Sequence, residues 1–154
     1  MILIDGQANE SIHALDRGLA YGDGVFRTMR ATAGALPLWP EHYRKLRADC
    51  ARIGIVCPGE RDLLDDIERI LGVEGDCVVK IIVTRGRGGR GYAGAAHCAP
   101  SRVAASFPLP LVPGDRDERG VRVRWCAIRL AEQPALAGVK HLNRLENVLA
   151  RREW

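Results

Sequence analysis

The sequence predicts an α/β (α+β) fold: a two-layer domain over residues 1–107, a linker over 108–120, and the beginning of a second α/β domain over 121–154. Three observations carry that prediction. Short runs rich in β-branched residues alternate with stretches whose apolar residues recur every three to four positions, the patterns of strands and of amphipathic helices. Glycines mark the transitions between them. Between the two units, Pro108, Pro110, Pro113 and Gly114 run into Asp115-Arg116-Asp117-Glu118-Arg119, which is linker composition. There is no internal repeat.

Taken in order, Ile2-Leu3-Ile4 followed by Asp5-Gly6 is a hairpin signal, because Asp-Gly suits a type I′ turn. Asp16-Arg17-Gly18 and Gly22-Asp23-Gly24 read as loop punctuation around Tyr21. The residues from Tyr21 to Arg30 lead into a strand that ends at Ala33-Gly34. On it the two-residue period puts Phe26, Thr28 and Arg30 on one face, either a pocket wall or the solvated side of an edge strand. Pro40 opens a helix that turns Tyr43, Leu46, Cys50 and Ile53 inward and closes at Gly54. A second helix runs from Glu60 to Leu71, with Gly72 as its cap. Cys77 to Thr84 reads as a mostly buried strand, and another lies near Arg102 to Phe107. Val121 to Cys126 alternates apolar and arginine residues and is expected to be the first strand of the second unit. From Leu142, the spacing Leu142, Leu145, Val148, Leu149 predicts a final helix, with Asn143 and Glu146 as a capping box.

Composition narrows the function classes. With 47% hydrophobic and 27% charged residues, the 154-residue chain has the balance of a soluble globular protein able to bury a core. Its net charge of +4 is modest and partly clustered beside glycines, so anionic small molecules are expected rather than a nucleic-acid surface. No apolar run is long enough to span a membrane, and the N-terminus lacks a signal-peptide pattern. Five scattered cysteines without a C-x-x-C, and four histidines without H-E-x-x-H, predict a cytoplasmic, metal-free protein with reduced thiols.

Two segments carry candidate chemistry. Lys140 precedes the predicted final helix, where the positive end of the helix dipole disfavours a cation. That placement would depress the pKa of the amine and make it a nucleophile; the alternative is an ordinary solvated lysine. The second segment, Arg85-Gly86-Arg87-Gly88-Gly89-Arg90-Gly91-Tyr92, directly follows an apolar strand. It lacks the Gly-Lys-Ser/Thr of a phosphate-binding loop. What stays open is a short RNA-binding box, a purely structural loop, or a tight turn whose guanidinium groups meet carboxylates.

Lys140-His141-Leu142-Asn143-Arg144-Leu145-Glu146 resembles the cofactor-lysine segment of the 4-amino-4-deoxychorismate lyases. These belong to the class IV (fold type IV) pyridoxal-phosphate family, beside branched-chain and D-amino-acid aminotransferases. Tyr21-Gly22-Asp23-Gly24-Val25-Phe26 is similar to that family's Tyr-Gly-x-x-x-Phe pocket motif, and Arg85 to Tyr92 is similar to the lyases' Arg-Gly-x-Gly-Gly-Arg-Gly-Tyr. The resemblance implies the N-terminal domain of that fold and the start of its cofactor-binding domain. It implies pyridoxal 5'-phosphate on Lys140 as a Schiff base, and a homodimer. The implied reaction converts 4-amino-4-deoxychorismate to 4-aminobenzoate, a folate precursor, and pyruvate. Lyases carry a threonine where the aminotransferases tend to have glycine, so Thr28 is expected to assist proton delivery to the leaving group. Tyr21, Arg30 and one or more of Arg85, Arg87 and Arg90 are expected to meet the dicarboxylate substrate.

The family's His-x-x-Arg-Leu, whose arginine contacts the cofactor phosphate, is here His42-Tyr43-Arg44-Lys45-Leu46. The phosphate therefore falls to Lys45 as a point charge or to Arg44 reaching round. A class IV aminotransferase is the alternative enzyme, and a small nucleic-acid-binding module using Arg85 to Arg90 the non-enzymatic one. The chain stops at Arg151-Arg152-Glu153-Trp154 without a helix stop signal. Family members continue further and supply there an acidic partner for the pyridine nitrogen, so a shortened chain of low activity is expected.

Overall fold

The computed structural model describes residues 1–71, 76–93, 98–111, 114 and 116–154; the expected cap Gly72 and the linker residues Pro113 and Asp115 lie outside them. Strands β1 (Ile2–Ile4) and β2 (Gln7–Ala8) form the expected hairpin, with Asp5 (φ 50°) and Gly6 (φ 78°) both left-handed as a type I′ turn requires. Helix α1 (Arg17–Tyr21) and strand β3 (Gly24–Ala31) follow, then helices α2 (Trp39–Arg52) and α3 (Glu60–Leu71). Strands β4 (Cys77–Thr84) and β5 (Ser101–Pro108), the single turn α4 (Arg116–Arg119), a 3₁₀ turn (Pro134–Leu136) and helix α5 (Leu145–Arg152) complete the order.

The strands make one five-stranded sheet in the order β2-β1-β5-β4-β3, with every neighbouring pair antiparallel. Helices α2 and α3 cover one face, giving the two layers the sequence predicts. Leu3, Val25, Met29, Val79, Ile81 and Val83 point into that layer and meet Leu46, Cys50, Leu63, Ile67 and Ile70 from the helices. Because side chains alternate across a sheet, Phe26, Thr28 and Arg30 of β3 and Lys80 of β4 take the opposite face. Thr28 and Lys80 are direct cross-strand neighbours.

Helix ends are built by particular groups. At the end of α2, Gly54 (φ 67°) donates to the Ala51 carbonyl and Ile55 to that of Cys50, a Schellman closure. The indole N–H of Trp39 at the start of α2 donates to Glu60 at the start of α3 (2.9 Å), tying the two helices together.

Three expectations are corrected. The residues Asp16 to Gly22 are not plain loop: the Asp16 carboxylate accepts the N–H groups of Gly18 and Leu19, Gly22 closes the other end, and the result is α1. Val121 to Cys126 is not a strand, because among the described residues no ladder partner lies beside it; Trp125 is 98% exposed. The capping box at Asn143 and Glu146 does not form. Helix α5 begins only at Leu145, and the Glu146 carboxylate accepts the Ala131 N–H instead (3.0 Å). Its apolar residues Leu145, Val148 and Leu149 are largely exposed. Among the described residues, no helix is long and apolar enough to cross a membrane.

Asp23 ties α1 to the end of β4. It accepts from Arg17 Nε (2.9 Å) and from Arg85 Nε (2.7 Å) and Nη2 (3.1 Å). Burial pushes its carboxyl pKa up, but the hydrogen bonds from Arg85 and Arg17 outweigh burial and hold it below the ordinary aspartate value. Asp23→Asn is expected to cost about 3 kcal/mol, because it strands the buried Arg17 cation. Urea denaturation should show that loss in full above the ordinary aspartate pKa, and shrinking as pH falls through the depressed one.

Candidate active site

The free edge of β3 is where the C-terminal residues dock. Phe26 N–H donates to the Lys140 carbonyl (3.0 Å) and Leu142 N–H to the Gly24 carbonyl (2.9 Å), so Lys140-His141-Leu142 runs as a short extra strand beside β3. Two glycines permit the approach. A Cβ on Gly24 would come within 2.6 Å of the Val83 carbonyl and 2.7 Å of the Leu142 side chain. One on Gly22, which also sits at φ 65°, would lie 2.0 Å from the Asn143 amide oxygen. Val139, buried in the main core, anchors the segment just before Lys140.

That docking carries Lys140 onto the open face of the sheet. Its ammonium nitrogen lies 4.5 Å from the centre of the Phe26 ring, with Lys80 at 5.4 Å and the Arg144 guanidinium at 5.5 Å. Phe26, Lys140 and Arg144 line a cleft of about 500 Å³ together with Asn147, Val148 and Arg151. The pKa of Lys140 is lowered, first by burial and then by the Arg144 and Arg27 cations, with Asp49 acting in the opposite sense. The cause differs from the expected one: α5 starts at Leu145, beyond the single turn over which a helix dipole acts.

Behind Lys140 stands a carboxylate that sequence reasoning missed. Asp49, 1% exposed on α2, accepts from Arg27 Nη2 (2.5 Å), from the Lys45 ammonium and from the backbone N–H of Lys140 (3.3 Å). Lys45 also donates to the Gly138 carbonyl (2.7 Å). Lys45 therefore reaches the Lys140 segment, whereas Arg44 is exposed and borders a separate depression with Arg47 and Cys57. Nearby, Arg27 Nε and His141 Nδ1 are buried without a hydrogen-bond partner among the described residues.

The other expected residues fall in two places. Thr28 is exposed next along the Phe26 face, and Arg30 beyond it pairs with Asp76 (2.5 Å). Tyr21, the last residue of α1, packs on the Gly/Arg loop, where its hydroxyl accepts the Gly91 N–H (3.0 Å) and its ring meets Tyr92 edge-on. Arg87 and Arg90 of that loop are exposed. Arg85 is turned inward: besides Asp23 it serves the carbonyls of Ile53 (2.8 Å) and Gly54 (2.7 Å), and so holds the loop against α2. Lys80, a lone charge inside an apolar strand, and Asp49, four residues after Lys45 on a core-facing stripe, were the available signals for the missed groups.

The sequence model of the class IV aminotransferases matches residues 24–154, from the start of β3 through the whole of this site. The chain belongs to the class IV aminotransferase family. Among the family's members, it is 35% identical to the aminodeoxychorismate lyase of Vibrio harveyi over 99% of this chain and 56% of that protein. It is 30% identical to a putative branched-chain-amino-acid aminotransferase of Methanocaldococcus jannaschii over 94% of this chain and 51% of that one. The crystal structure of 4-amino-4-deoxychorismate lyase from Pseudomonas aeruginosa superposes with a TM-score of 0.91 at 44% identity, covering all of this chain and 57% of that structure. The chain thus spans about half the length of the curated relatives it matches.

Class IV enzymes, lyases and aminotransferases alike, depend on pyridoxal 5'-phosphate. The residues present fit that group. An amine of lowered pKa stands over an aromatic floor with cations around it, and among the described residues two buried nitrogens, Arg27 Nε and His141 Nδ1, lack partners. Of the chain's three lysines, Lys140 is expected to react with trinitrobenzenesulfonate at a lower pH than an ordinary lysine, since a depressed amine is deprotonated sooner. Peptide mass spectrometry across a pH series reads this directly.

Proposed function

We propose that this chain carries the lysine-bearing part of an aminodeoxychorismate lyase, which converts 4-amino-4-deoxychorismate to 4-aminobenzoate and pyruvate. The observation that supports this reading most is the placement of the Lys140 amine over Phe26, with Thr28 exposed next to it on the same strand face. The 44% identity to the Pseudomonas lyase points the same way. When bound, pyridoxal phosphate supplies an electrophilic carbon and a sink for the electron pair left by deprotonation.

The chain's own residues supply the rest. Lys140 binds the cofactor through its amine, and burial beside Arg144 and Arg27 raises the neutral fraction that can do so. With the cofactor held there, the Lys140 amine would take the proton from the substrate carbon that bears the amino group. The hydroxyl of Thr28 delivers a proton to the departing enolpyruvyl oxygen. Lys45, on the Lys140 side of α2, is the better placed of the two cations expected at the phosphate. Tyr21, Arg30, Arg87, Arg90 and the newly placed Lys80 are proposed to meet the substrate's carboxylates, while Arg85 holds the loop. A homodimer is proposed from the family, and a cytoplasmic location from five unpaired thiols. The match to a branched-chain aminotransferase keeps amino-group transfer as the second reading.

Adding pyridoxal phosphate to the purified protein is expected to give visible absorbance that Lys140→Ala abolishes, and borohydride should fix the cofactor's mass on the Lys140 peptide. Whatever turnover of 4-amino-4-deoxychorismate is measured, weak as it is expected to be, should release pyruvate without an amino acceptor; a requirement for the acceptor would make the protein an aminotransferase. Thr28→Val should slow pyruvate release about 10²-fold, the usual size of general-acid help, without removing the colour.

A further inference from the structure

One feature of the site follows from no expectation about the family's motifs. Asp49 is a charged residue on the apolar stripe of α2, directly beside the core residue Cys50 and 1% exposed. Burying a lone carboxylate at such depth is costly, and here cations and an N–H surround it. Its partners come from three separate pieces of the fold. Arg27 belongs to β3, Lys45 to α2 itself and the Lys140 N–H to the docked edge segment. Lys45 in turn grips the Gly138 carbonyl, two residues before Lys140.

We propose that Asp49 is the positioning residue of this site: its one buried carboxylate holds the Lys45 cation and the Lys140 backbone in a single frame and serves as the counter-ion they share. The inference rests on Lys140 being the reactive amine. It assigns the replacement of the family's arginine by Lys45 a compensating partner within the same helix, since a flexible ammonium lacks the fixed fork of a guanidinium and needs a second group to aim it. The charged groups facing Lys140 are Arg27 from β3, Lys80 from β4, Arg144 and His141 from its own segment, and Arg151 and Arg152 from α5. From α2 come Asp49 and Lys45. Asp49 is the anion in that set and acts on the Lys140 amine against the cations, and Lys45, paired with Asp49, offsets part of that effect.

Two variants separate this role from simple packing. The 154-residue chain, without added cofactor, is titrated with trinitrobenzenesulfonate and labelling of the Lys140 peptide is followed against pH. Asp49→Asn keeps the shape and removes the charge; the labelling midpoint is expected to fall by about one pH unit. Lys45→Met removes the competing cation and leaves Asp49 free for Lys140, so the midpoint is expected to rise. Circular dichroism identifies any variant that does not fold, and Lys45→Met alone then decides. Shifts of the same sign in both variants, or an unmoved midpoint in a folded Lys45→Met, would overturn the proposal. Opposite shifts without fixation of pyridoxal phosphate on Lys140 would leave Asp49's role standing and defeat the lyase reading instead.

Discussion

The short ladder between residues 140–142 and the free edge of β3 is the constraint on which the site depends. An edge strand exposes unpaired N–H and C=O groups, and here Phe26 and Gly24 spend theirs on Lys140 and Leu142. Those bonds, with the buried Val139 and the Lys140 N–H on Asp49, fix Lys140 against Phe26 of β3, Lys80 of β4 and Asp49 of α2. Gly22 and Gly24 matter for the same reason. They are the places where a side chain would hold the docking segment away from the sheet.

Charge is arranged around that ladder in two separate clusters. On the side of the sheet that α2 covers, Asp49 gathers Arg27 and Lys45; on the open face, Lys80 and Arg144 share the Phe26 ring with Lys140. An amine with cations on several sides and one carboxylate behind it is easier to deprotonate than a surface lysine, which is the property its proposed chemistry needs. Just past the end of β4, Arg85 does structural work with Asp23 that its sequence context conceals. Its Gly-rich setting reads as a ligand loop, but its donors close the turn at Gly54 instead.

Local patterns were legible where a single element is enough to decide them. Asp5-Gly6 dictates its turn, Gly54 its helix end, and the β-branched run from Cys77 to Thr84 its strand. Two of the misreadings turn on partners that a local pattern does not show. Asn143 and Glu146 have capping-box spacing, yet Asn143 is drawn against Gly22 and Glu146 to Ala131, so the helix waits until Leu145. Val121 to Cys126 has strand alternation, but alternation supplies only faces, and a strand also needs a neighbour to take its hydrogen bonds. Asp16 and Gly22 carry cap chemistry that was visible as residue types, though the helix between them is too short to show a period.

From sequence alone came the two-layer class and the order of the main strands and helices from β1 to β5, properties of spacing and residue type that a linear chain displays. The family and Lys140 as the residue of interest came from the resemblance of whole motifs. The tertiary structure decided that burial and neighbouring cations, rather than a helix dipole, lower the pKa of Lys140, that Lys45 and not Arg44 stands behind it, and that Asp49 joins them. It could not have been otherwise, because Arg27, Asp49, Lys80 and Lys140 lie on different elements, and only the folding of β3, α2, β4 and the edge segment brings their charges together.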